Sequence, residues 1–141
     1  CTQSSCGTVL AFNRLPAMGR VYYNKLIRDN VPEKIRSNGE ECEVREITDD
    51  QEFQQELLKK IAEEASALSK VRSREDFLKE YADLAAVIDT ALAELSITQE
   101  EVTVAREKNN VRKGAFTKRY FLEWSSDGNY TSNESVQGIK G

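Results

Sequence analysis

The chain has 141 residues, with 20 Lys and Arg against 24 Asp and Glu, no His, and a formal net charge of −4. The missing imidazole excludes Ser-His-Asp and Cys-His catalysis and His-ligated zinc or iron, and the acidic balance argues against nucleic-acid binding led by bulk electrostatics. Seven Gly and two Pro favour long helices over a turn-dense β fold, in a length that suits one domain.

Residues 1–17 carry no clear period and read as a leader segment outside the core. The functional frame is expected to begin at Met18, the only Met. Pro32 sits in the first turn of a short helix over about 31–38, closed by Asn38-Gly39. Cys42-Glu43-Val44-Arg45-Glu46-Ile47 is read as a half-buried strand. Asp49 or Asp50 caps a helix running to about Lys70, whose apolar stripe is Phe53, Leu57, Ile61, Ala65 and Leu68. Ser73 caps a second long helix with Glu75 and Asp76 in its first turn and a stripe of Phe77, Tyr81, Leu84, Ala85, Ile88, Leu92 and Leu95. Thr98 and Glu101 form a capping box, opening a third helix to about Asn109.

Residues 119–124 read as a strand able to pair with 42–47 in a small two-stranded ribbon on the helices. The Ser-, Asn- and Gly-rich 125–141 read as a flexible tail, where sequons at Asn129 and Asn133 are coincidental. The expected fold is therefore all-α, two long antiparallel helices plus shorter ones with a peripheral β ribbon. Its uncovered apolar faces suit self-association. Cys1, Cys6 and Cys42 lack CxxC spacing and are expected to be free thiols in a reducing, cytoplasmic setting. No apolar run approaches the roughly 20 residues of a membrane span.

The informative residues are acids on apolar helices. Glu63 and Glu64 lie in KKIAEEASALSK; Glu80 and Asp83 lie in FLKEYADLAAVIDTALAEL. Positions 80 and 83 are one turn apart and project to one side, where Glu64 of the preceding antiparallel helix can face them. A carboxylate among apolar neighbours is costly unless paired or metal-bound, and an all-oxygen donor set suits Mg²⁺ or Mn²⁺. By spacing alone, the ordinary reading is a solvated face with Lys59 and Lys60 as partners. Asp83 resists that reading, because Asp is a poor interior helix former.

Lys25 and Arg28, beside Asp29, in NKLIRDNVP, and Lys108, Arg112, Lys113, Lys118 and Arg119 in KNNVRKGAFTKR, form basic segments. Bases beside a carboxylate-held cation suit a polyphosphate. Each base can equally be a surface ion pair. RKGAFTKR is a weak candidate for a nucleic-acid patch.

Taken in order, YYNKLIRDNVPEKI, the EExxE-like Glu63-Glu64-Ala65-Ser66-Ala67, the ExxD of Glu80-Tyr81-Ala82-Asp83, and Lys108 with Lys113-Gly114-Ala115-Phe116 and Lys118-Arg119 resemble the phosphoribosyl-ATP pyrophosphohydrolase-like branch of the MazG-like all-α nucleotide pyrophosphohydrolases. The resemblance covers roughly residues 20–124, inside a domain taken as 18–124. It implies a Mg²⁺-dependent hydrolase that splits the α–β phosphate bond of a nucleoside triphosphate or related nucleotide, in a helical bundle assembled as a homodimer or homotetramer. It makes Glu64, Glu80 and Asp83 metal ligands. Glu63 becomes a ligand, a supporting group or the base that orients water, so Glu63 and Glu64 are its catalytic pair. Lys25, Arg28, Lys108, Lys113 and Arg119 become phosphate contacts. The sequence departs from the pattern at Ala67, where the family carries a ligand Glu, which opens the alternative of a catalytically degenerate nucleotide-binding or interaction protein of the same fold.

Overall fold

The computed structural model describes residues 19–129, so the leader and most of the tail lie outside the described residues. Among the described residues four helices are formed: α1 (Val31–Ser37), α2 (Asp50–Leu68), α3 (Arg74–Glu94) and α4 (Gln99–Lys113). The chain divides into two compact units at Ser96/Ile97, the first holding α1 to α3 and the second α4. Among the described residues no helix is long and apolar enough to cross a membrane.

Local chemistry sets the helix ends. Val31 and Pro32 open α1, and its C-terminus closes through Gly39 at φ 85°. There the amides of Gly39 and Glu40 donate back to the carbonyls of Arg36 and Ile35, a double closure that wants a residue free to enter the left-handed region. The Asp49 carboxylate accepts from the Glu52 amide, and the Ser73 hydroxyl from the Asp76 amide, each capping a long helix. Thr98 and Glu101 satisfy each other's amides at 2.8 and 3.2 Å, the reciprocal box expected from their spacing. α4 runs four residues past the expected end, to Lys113. Gly114 stops it at φ 78°, ψ −164°, a conformation suited to glycine.

In the first unit, α2 packs against α3. Among the described residues, Leu57 of α2 and Val87 and Ala91 of α3 are the buried hydrophobic ones, at 2%, 8% and 8% exposure. The more buried face of α3 thus steps through Glu80, Asp83, Leu84, Val87 and Ala91, turned only in part from the expected stripe, of which Leu84, Ala85 and Leu92 are half-buried. Phe77, Tyr81, Ile88 and Leu95 of that stripe stay between 37% and 54% exposed. Phe77 and Tyr81 stack on each other with ring centroids 6.3 Å apart. α3 has two apolar faces, and the hairpin closes only one of them.

The expected β ribbon is absent: no strand occurs among the described residues. The period of 2 fails at Arg45-Glu46, so Cys42 and Ile47, the half-buried members, would lie on opposite faces of a strand. The segment is tied down by side chains instead. The Cys42 thiol lies 3.8 Å from the Pro32 carbonyl, and Arg45 donates twice to the Glu52 carboxylate at 2.6 and 3.2 Å. That fork holds Glu52 below the usual carboxylate range. Among the described residues, 42–47 acquires no ladder partner.

Candidate functional site

The antiparallel pairing of α2 and α3 brings three carboxylates together. Glu64, one turn short of the end of α2, and Glu80 and Asp83 in the first half of α3 offer oxygen atoms that all lie within 4.8 Å of one another. All three side chains are half-buried. Two oxygens on one Mg²⁺ lie at most about 4.2 Å apart, since each ligand stands near 2.1 Å from the ion. A small rotation of the side chains therefore closes the cluster on a hard dication. The donors are oxygen only, and three of them leave an octahedral ion room for water or substrate oxygens.

Glu63 does not join this cluster. Its Oε1 accepts from Lys25 at 2.9 Å and from Lys60 at 3.2 Å. The Lys25 hydrogen bond holds Glu63 below the usual carboxylate range and raises Lys25 in turn. A carboxylate engaged by two ammonium groups is a weak proton acceptor, so a base role for Glu63 requires that at least Lys25 withdraw. Lys60 also reaches Glu64, at 3.3 Å, and is only 13% exposed. Its alkyl stem lies along the hairpin while its ammonium group serves two acids one turn away. Lys59 turns to Glu56 instead.

The opening basic segment lies over the same place. Asn24 adopts φ 45°, the chain bends at Lys25, and Leu26 and Ile27 are half-buried. The flanking bases then reach different helices. Lys25 donates to Glu63 of α2, and Arg28 donates to Asp83 of α3 at 3.0 Å. Three bases thus face four acids, leaving one formal negative charge, and Glu80 is the acid with no ion pair among the described residues.

The remaining expected phosphate contacts belong to the second unit. Lys108 and Lys113 lie on α4 and Arg119 in the segment beyond it, all exposed. Arg119 takes φ 56° and its amide donates to the Phe116 carbonyl. Lys118 stands over the Tyr120 ring, 5.8 Å from its centroid. Ala67 is half-buried on α2, one turn beyond Glu64 on the same side. The Arg45–Glu52 fork was missed in the sequence, because a base seven residues from its acid across a non-helical turn has no signature spacing.

A scan against protein-family models returns no match, and neither curated proteins nor solved structures provide a significant one.

Proposed function

We propose that the chain is a Mg²⁺-dependent nucleotide pyrophosphohydrolase, cleaving the α–β phosphate bond of a nucleoside triphosphate or related nucleotide to a monophosphate and pyrophosphate. The observation that carries this reading is the convergence of Glu64, Glu80 and Asp83, with oxygens within 4.8 Å across two helices. Arg28 and Lys25 lie at its rim, two bases suited to polyphosphate charge. Mg²⁺, or Mn²⁺ in its place, would supply charge neutralisation on the phosphates and an acidified water. The chain's own residues have separate work: Glu64, Glu80 and Asp83 hold the ion, Glu63 orients the attacking water once its lysines engage phosphate, and Lys25 and Arg28 bind the substrate's oxygens.

Lys108, Lys113 and Arg119 are further phosphate contacts in this reading. It belongs to the MazG-like, phosphoribosyl-ATP pyrophosphohydrolase-like pattern, with a homodimer or homotetramer in the cytoplasm. The half-exposed Phe77, Tyr81, Ile88 and Leu95 on the open face of α3 support the oligomer. The site has hard, oxygen-only donors.

A second reading keeps the fold without catalysis, and Ala67 favours it, since a fourth carboxylate would belong there by the family pattern. Pyrophosphate release across a panel of nucleoside triphosphates, with Mg²⁺ and with Mn²⁺, decides between them. Metal-dependent turnover of at least one nucleotide is expected. A folded sample that turns over none with either ion leaves the non-catalytic reading in place.

A further inference from the structure

Arg28 and Asp83 stand 55 positions apart in sequence and meet at 3.0 Å. Asp83 is at once the acceptor of this guanidinium and one of the three oxygens of the carboxylate cluster. We infer that residues 25–28 act as a built-in counter-cation strap, and that a divalent ion settles on the cluster by displacing Arg28 from Asp83. This rests on the metal reading given above and adds a regulation to the same site.

Two cations compete for one carboxylate. An ion bound through Asp83 Oδ1 would stand no more than about 5 Å from Arg28 Nη1, from the ligand distance and the hydrogen bond together. Like charges that close repel in a site partly shielded from water. The guanidinium and the dication therefore compete for the Asp83 carboxylate. The pair is built to open: Arg28 is 65% exposed, and it borders an open concavity of about 340 Å³ that it shares with Asp29, Asn30, Val31 and Lys34. Leu26 and Ile27 stay half-buried, so the backbone of the strap need not leave when the side chain does.

Lys25 behaves differently. Its partner Glu63 lies outside the three-oxygen cluster, so ion binding does not compete with it directly. Release of Arg28 has a second effect, because it frees a planar fork of donors at the edge of the ion, where phosphate oxygens would arrive. The strap thus keeps the acids from repelling one another before the ion binds, and hands the guanidinium to the substrate afterwards.

The test is Mn²⁺ titration of the nucleotide-free full chain by calorimetry, comparing the natural protein with Arg28→Gln at low salt. Removing the competitor should tighten Mn²⁺ binding about three- to fivefold, the factor expected when a solvent-exposed ion pair no longer has to break. Unchanged or weaker binding in a folded Arg28→Gln protein overturns the exchange. No Mn²⁺ or Mg²⁺ binding by the natural protein into the millimolar range overturns the metal reading itself, so the two failures are distinguishable. Should Arg28→Gln not fold, the natural protein still decides the matter. The Arg28 Nε–Hε resonance should move to its solvent-averaged position on saturation with Mg²⁺, and a resonance that stays put refutes displacement.

Discussion

Asp83→Asn is expected to lower Mg²⁺-dependent pyrophosphate release at least about 100-fold while leaving the fold intact, because the charge that would hold the ion beside the phosphates is lost. The substitution is nearly isosteric. Its amide oxygen can still accept from Arg28, and the exposed pair it weakens is worth no more than about 1 kcal/mol. Glu80→Gln should do the same by a different route, since Glu80 has no ion pair among the described residues to lose. Measured together, initial rates and thermal melts separate chemistry from folding. Turnover that persists in both variants would remove Glu80 and Asp83 from the site. Melting points that collapse with the rates would make them structural instead.

Leu57→Ala should destabilise the chain by about 3 kcal/mol, with a fall in Tm on the order of 10 °C. Leu57 is only 2% exposed and is the most buried of the three hydrophobic residues where α2 meets α3. The other two buried hydrophobic residues of the hairpin, Val87 and Ala91, are smaller. Leu57→Met keeps the volume and should cost less than about 1.5 kcal/mol. A denaturant titration of the three proteins checks the order. Equal midpoints for natural and Leu57→Ala chains would place the core elsewhere.

Much of this architecture was legible because it is local. Asp49, Ser73 and the Thr98–Glu101 box announce their helices through a side chain and an amide three residues apart, and all three caps form. Lys60 was a visible partner for Glu63 and Glu64 by helical spacing. The convergence of Glu64 with Glu80 and Asp83 was legible as well, since a short corner folds α2 back on α3 and one-turn spacing aligns the acids.

What was hidden depends on contacts distant in sequence. Nothing in NKLIRDN tells which base meets which acid, and the structure sends Lys25 to α2 and Arg28 to α3. Glu63 and Glu64 look interchangeable in a string of letters. About 100° of helical rotation separates them: Glu63 meets Lys25, Glu64 joins the carboxylate cluster, and Lys60 reaches both. The same geometry misled the choice of packed face on α3. Phe77, Tyr81 and Ile88 are the larger side chains, yet Val87 and Ala91 are the ones buried. The strand expected at 42–47 failed because a pleated ladder needs a neighbour, and two side-chain ties satisfied the segment without one.

The open face of α3 has a thermodynamic consequence. Unfolding of a lone hairpin exposes little new apolar surface when Leu57, Val87 and Ala91 are what it buries. Its denaturant slope and heat-capacity change are expected to be correspondingly small, and its transition broad. Covering Phe77, Tyr81, Ile88 and Leu95 would steepen both quantities at once. For such a chain, the sharpness of the melt reports how much of the helix face has found a cover.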